Sequence, residues 1–145
     1  KPISETDSTP AISLPWNAES TWVPMINIRT DTGNFVAGLF EAGQSANGVF
    51  VQGVSEWLHP SSIVDTLSRV TGKKVVWNET PMTVEMTDKM PKIPAELMEN
   101  MILVRDYSYF GKGTEAKQGE SDKFFVEGVK KETWEGFVKG QTWNF

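Results

Sequence analysis

Asn27-Ile28-Arg29-Thr30-Asp31-Thr32-Gly33-Asn34-Phe35-Val36 marks the point where the chain changes from one periodicity to another. Just upstream, residues 22–28 form an apolar run of strand length whose beginning is fixed by Pro24. Asp31 then reads as a helix N-cap, because its carboxylate can accept from the unpaired amides of a first turn. The helix it opens is predicted to carry Phe35, Val36, Leu39 and Phe40 on one face and to stop at Gly43.

Working outward, Asn47-Gly48 reads as a turn and residues 49–54 as a second short strand. Pro60 suits the first position of a helix, where its missing amide hydrogen costs nothing. That helix places Ile63, Val64, Leu67 and Val70 at helical spacing and ends at Gly72, with residues 73–77 as a third strand. Strand and helix thus alternate as β-α-β-α-β, which predicts an α/β layer arrangement. Residues 1–10 are polar with Pro2 and Pro10, so residues 1–11 read as a tail or linker and 12–145 as the folded region. Residues 82–89 are expected to form a short helix before Pro91. Pro94 then opens a longer one to about Tyr107, with Leu97, Met98, Met101 and Ile102 as its stripe. Residues 111–122 read as a loop. Thr133 starts a capped helix that docks Trp134 and Phe137, and Trp143 and Phe145 form a last apolar anchor.

Composition excludes several functions. Among 145 residues there are 14 basic and 19 acidic side chains, a net charge of −5, and the only adjacent basic pairs are Lys73-Lys74 and Lys130-Lys131. Such pairs are too small to track a nucleic-acid backbone, so no nucleic-acid partner is expected. No apolar run approaches the roughly 20 residues of a membrane span, no secretory signal is evident, and there is no cysteine. A cytoplasmic location without membrane attachment is the expectation. Asn78-Glu79-Thr80 has sequon form but is followed by Pro81 and reads as fortuitous. Lys1 in place of Met leads us to expect part of a longer product.

The quoted stretch, together with His59-Pro60-Ser61-Ser62-Ile63-Val64 and Val70-Thr71-Gly72-Lys73-Lys74-Val75, resembles the C-terminal half of NmrA-like proteins. These form an atypical branch of the short-chain dehydrogenase/reductase, NAD(P)-binding superfamily. The resemblance implies a fold of class α/β, the C-terminal part of a Rossmann-type protein. A few short strands would alternate with helices, followed by a helical substrate-side region. It also implies that the dinucleotide-binding glycines and any catalytic Tyr and Lys lie upstream. NAD(P) is then expected for the full-length family member, with none bound by this chain alone.

Three functions follow from it. The first is the substrate-binding half of an NAD(P)-dependent reductase or related small-molecule enzyme. The second is a non-catalytic NAD(P)-sensing regulator that acts through protein contacts. The third is a cofactor-free domain binding or cyclising a hydrophobic metabolite. Apolar strands made to complete a sheet would be covered by the missing N-terminal half or by a second copy.

The residues themselves offer few chemical groups. No glycine-rich strand-to-helix turn is present, since Gly111-Lys112-Gly113 and Thr71-Gly72-Lys73 lack that context, and cofactor-binding residues are expected to be none. Tyr109 and Lys112 are three residues apart, not the four of the superfamily's proton-transfer pair, so no catalytic residue is assigned. His59 is the only histidine, and no metal site is expected. It stands either as a simple helix-entry residue or at a pocket edge, since the loop of residues 55–59 leaves a strand end. Trp57, His59, Met98, Tyr107, Tyr109 and Phe110 are the candidate substrate-binding residues, each also readable as packing, for a small hydrophobic organic ligand. The six Trp are spread along the chain, which suits several packing clusters better than one cage.

Overall fold

A computed structural model describes residues 9–83 and 94–144. Its strands are β1 (Ala11–Leu14), β2 (Val23–Met25), β3 (Glu56–Leu58) and β4 (Val76–Glu79); its helices are α1 (Asp31–Ala42), α2 (Pro60–Thr71), α3 (Ala95–Tyr107), α4 (Gln118–Asp122) and α5 (Trp134–Lys139). The mixed α/β class is as expected, but the sheet differs. Two two-stranded sheets form: β1 pairs with β4 in parallel, Ala11 opposite Val76, and β2 pairs with β3 antiparallel, Val23 opposite Leu58.

Local chemistry explains why the strands moved from their predicted places. The run at 22–28 is cut to three residues because Asn27 starts a turn: its carbonyl accepts from the Asp31 amide at 2.8 Å and its side chain from the Arg29 amide at 3.1 Å. Residues 49–54 are not a strand, since side chains satisfy their backbone instead of a ladder. The Ser121 hydroxyl accepts from the Gln52 amide at 2.9 Å, and Gln118 Nε2 donates to the Gln52 and Val54 carbonyls. The third strand starts at Val76, not Lys73, because the Ser68 hydroxyl holds both the amide and the carbonyl of Val75. Its partner β1 begins at Ala11, inside the stretch read as a linker.

The helices follow the local signals more closely. Pro60 opens α2, and Gly72 closes it in the left-handed region at φ 69°. Pro94 is the N-cap of α3. Thr133 caps α5, its hydroxyl accepting from the Gly136 amide at 3.1 Å. Thr30, not Asp31, is the N-cap of α1, and Asp31 lies one position inside. The stretch read as a loop at 111–122 contains a 3₁₀ turn (Glu115–Lys117) and α4. The helix expected at 82–89, Met90 and the anchor Phe145 fall mainly or wholly outside the described residues.

Two cores result. Ile63, Val64 and Leu67 of α2 pack with Val75 and Val138, and Ile12, Val23, Met25, Leu58 and Trp77 bring both sheets onto the same helix. Trp143 docks here as expected, donating its indole N–H to the Val138 carbonyl at 2.9 Å. The second core is Met82, Met98 and Ile102. An indole ladder joins the parallel sheet to α3: Trp77 Nε1 donates to the Trp16 carbonyl and Trp16 Nε1 to the Met101 carbonyl, each at 2.9 Å. Thus the segment after β1 is tied to the helix that ends at Tyr107.

Candidate ligand cleft

Helix α3 ends abruptly. Ser108 donates its amide to the Val104 carbonyl at 2.9 Å and adopts φ 68°, ψ 164°. This backbone region is essentially restricted to glycine, and an L-residue held there costs on the order of 1–3 kcal/mol. Ser108 is the only non-glycine residue with positive φ among those described. The strain turns the chain back across the end of α3, and Thr114 locks the return, its hydroxyl donating to the Gly111 carbonyl at 2.7 Å.

Two clefts meet at this turn and share Val104 and Ser108. One, about 300 Å³, is lined on one wall by Ser20, Thr21 and Trp22 and on the other by Arg105, Lys112 and Glu115. The second, about 540 Å³, is more apolar, lined by Trp16, Leu97, Met101, Leu103 and Tyr109. A more polar cleft and a more apolar one thus share the residues at this turn.

The walls are set from below. Asn17 Oδ1 accepts from the amides of Glu19 and Ser20 and from the Ser20 hydroxyl, which fixes the loop before Thr21. His59 Nδ1 lies 2.9 Å from the Thr21 carbonyl, an oxygen that can only accept, so the proton in this bond sits on Nδ1. The imidazole packs at 3.8 Å against the Trp22 ring. Opposite, Arg105 donates Nε and Nη2 to the two oxygens of Asp106 and Nη1 to the Met82 carbonyl. The hydrogen bond from Arg105 holds the Asp106 carboxyl below its ordinary range. Ser108 Oγ and Glu115 Oε2, oxygens of two residues that line this cleft, are themselves buried and without a protein partner.

The predicted residues divide among these features. Phe110 is the centre of an aromatic cluster, 4.8 Å from Tyr109, 6.0 Å from Trp57 and 6.1 Å from Phe50 between ring centroids, and Trp57 donates its indole N–H to Gln118 Oε1. Tyr109 lines the apolar cleft, and His59 stands behind the Trp22 wall. Tyr107 is largely exposed and lines neither cleft. Met98 is fully buried in the second core, and Met101 takes the lining position on the same helix. Ser108, Glu115, Trp22 and Arg105 were missed by sequence reasoning. A serine one residue past a helix end was the one available signal, in a position where glycine is usual.

The N-termini of α1 and α2 do not suit a dinucleotide pyrophosphate. Asp31 places a buried carboxylate in the first turn of α1. Pro60 opens α2 without an amide hydrogen, and the Ser61 and Ile63 amides already donate to Ala18 and His59. Nor does any group of acidic, His or Cys side chains suited to a metal occur among the described residues. No helix among them is long and apolar enough to cross a membrane.

Short strands alternating with helices, with no phosphate-binding turn among the described residues, define a mixed α/β fold of Rossmann-like type. The chain belongs to the NmrA-like family, whose model matches residues 1–138. It is similar to the crystal structure of NmrA, a negative transcriptional regulator, in complex with NADP: TM-score 0.66, 16% identity, 89% of this chain and 42% of that one covered. A monoclinic form of the same regulator gives TM-score 0.64 at 16% identity with the same coverage. The chain therefore spans about two-fifths of the length of these structures, and the likeness is one of fold. No curated protein sequence matches it.

Proposed function

We propose that this chain is the substrate-side half of an NmrA-like NAD(P)-dependent reductase or related small-molecule enzyme, with the Ser108 clefts receiving the organic substrate. One observation carries the reading: a strained serine that lines both a polar and an apolar cleft, in a chain of this family whose α1 and α2 N-termini do not suit a pyrophosphate. Strain of this kind clusters where a ligand is clamped. The NADP held by the structural neighbour supports a dinucleotide site supplied by sequence outside this chain. The test is Val104→Trp in the full-length protein, which fills the junction of the two clefts. NADP+ affinity is expected to persist while dinucleotide turnover with alcohols or carbonyl compounds is lost; turnover unchanged by the substitution removes the reading.

A second reading is the NAD(P)-sensing regulator that works through protein contacts. It is favoured by the similarity to NmrA, a negative transcriptional regulator, and by Ile28, Phe40 and Phe50, each at least 74% exposed. The upstream half of the same protein or a second copy would cover these side chains. Tight NADP+ binding with no turnover of any carbonyl compound or alcohol selects this reading over the first.

A further inference from the structure

Another cavity lies between the end of β2 and the start of α5 and shares no lining residue with the Ser108 clefts. Its volume is about 180 Å³, and its apolar lining comes from Met25, Ile26, Trp134 and Phe137. An apolar cavity of about 150 Å³ accepts benzene, so this one has room for a single aromatic ring.

The lining is held in place by the fold. The Trp134 and Phe137 rings stack at 5.7 Å and 19°, and Trp134 donates its indole N–H to the Ile63 carbonyl. The Ser55 amide donates to the Met25 carbonyl at 2.8 Å. Polar side chains of the lining are spent on the same framework: Asn27 Oδ1 accepts from the Arg29 amide, the Ser55 hydroxyl donates to Asp31, and the Thr133 hydroxyl accepts from the Gly136 amide. The Glu132 carboxylate differs. Its own amide is bound by Asp31, yet the carboxylate makes no hydrogen bond or ion pair with any described residue. Nor does it extend away from the protein, since a Cβ added at Gly136 would collide with Glu132 Oε1. The missing side chain at Gly136 thus lets the carboxylate fold back onto the turn of α5 that carries Trp134 and Phe137.

The charge around the cavity has one sign. No lysine or arginine lines it, and Lys131 is drawn away to Asp122 and the Val54 carbonyl. Two more carboxylates are bound to the lining residues, Asp31 to Ser55 Oγ and the Glu132 amide, and Glu56 to the Trp134 amide. An anionic head group would meet like charge, and a neutral one would gain no ion pair. A cation complements Glu132, and such complementarity selects among ligands of one shape.

We propose that this cavity is a small-molecule site, independent of the Ser108 clefts, that takes an aryl-alkyl ammonium. The ring fills the space lined by Met25, Ile26, Trp134 and Phe137, and the ammonium group pairs with the Glu132 carboxylate.

Benzylamine and 2-phenylethylamine, which differ in the length of the arm, are titrated into the full-length protein beside benzyl alcohol, 2-phenylethanol and phenylacetate. The indole N–H shifts of Trp134, Trp16 and Trp22 are followed by NMR. Movement is expected at Trp134 and not at Trp16 and Trp22, which line the Ser108 clefts. At least one amine is expected to bind about fivefold more tightly than its alcohol, the upper range of a partly exposed ion pair, and phenylacetate more weakly than either. High salt should shrink that preference. Glu132→Gln keeps the shape of the side chain and removes its charge, so amine and alcohol are expected to bind equally while the alcohol's affinity is unchanged. A carboxylate that served only to stabilise the start of α5 would leave the ratio of amine to alcohol unmoved by the substitution. Equal binding of amine and alcohol by the parent protein overturns the proposal, as does an amine preference that survives Glu132→Gln. Trp134 unmoved by every compound, or moved only together with Trp16 and Trp22, removes the cavity as a site. The Ser108 reading stands or falls separately, on Val104→Trp.

Discussion

The Asp31 carboxylate accepts from the Glu132 amide at 2.8 Å, joining the first turn of α1 to a residue 101 positions later in the chain. The same oxygen also accepts from the Ser55 hydroxyl, and the other accepts from Thr30 Oγ1 at 3.0 Å. Asp31 is only 1% exposed, so three segments meet on one buried side chain. Asp31→Ala leaves the Glu132 amide and the Ser55 hydroxyl without their acceptor. A loss of about 2–4 kcal/mol is expected from orphaned donors of this kind. Denaturant unfolding measures it, and a loss below about 1 kcal/mol would show that the junction does not bind the segments together.

Gly38 lies where α1 touches the backbone at Phe124, and an added Cβ would come 2.1 Å from the Phe124 carbonyl oxygen. Because a backbone atom cannot swing away, Gly38→Ala must push α1 off the segment that also holds Phe125 against Phe35 at 4.9 Å. The alanine's better helix propensity offsets only about 1 kcal/mol. A net destabilisation of roughly 1–3 kcal/mol is expected from the overpacking. An unchanged thermal midpoint would contradict the close approach.

Ser108→Gly should act in the opposite direction. Release of the strain at φ 68°, ψ 164° outweighs the greater chain entropy of glycine, for a gain of about 1 kcal/mol. Ser108→Ala keeps the strain and removes only the unpartnered hydroxyl, so the gain of Ser108→Gly should exceed that of Ser108→Ala. Parallel melting curves of the two variants separate backbone strain from the loss of the hydroxyl.

Glu135 links α5 to α2. Its carboxylate receives Arg69 Nη1 at 3.0 Å and Nη2 at 2.8 Å, and Lys139 Nζ lies 2.7 Å from it. Hydrogen bonds from Arg69, then from Lys139, hold its pKa down to about 2, against the ordinary 4.5. A depressed folded-state value means that the contribution is present above about 4.5 and lost as pH falls through about 2. The group is exposed, so the effect is a small one. Glu135→Gln should lower the melting temperature slightly at pH 7, with the gap to the parent closing toward pH 2. A gap of constant size across that window would show that the carboxylate's charge has no part in it.

The helices were legible where the signal was local. Pro60 and Gly72 bracket α2, Pro94 starts α3 and Thr133 caps α5, each through geometry decided within a few residues. Strands were not, because an apolar run shows a tendency to extend but not the presence of a partner. Residues 49–54 had the composition of a strand, yet Ser121, Gln118 and Lys131 took their backbone groups first. Residues 11–14 had no marked strand pattern, yet they pair with β4. Of the candidate ligand residues, Trp57, Tyr109 and Phe110 come together, whereas Met98 is enclosed in a core.

The sequence by itself determined the family, the α/β class and the starts and stops of the main helices, because these depend on residue types at short spacing. Only the tertiary structure decided the cleft. Its walls come from residues 20–22 and 104–115, and what unites them is long-range: the β1–β4 pairing and the indole of Trp16 bound to Met101, 85 positions away. The exceptional backbone of Ser108 likewise depends on the surrounding fold, since nothing in a serine's own preferences selects that conformation.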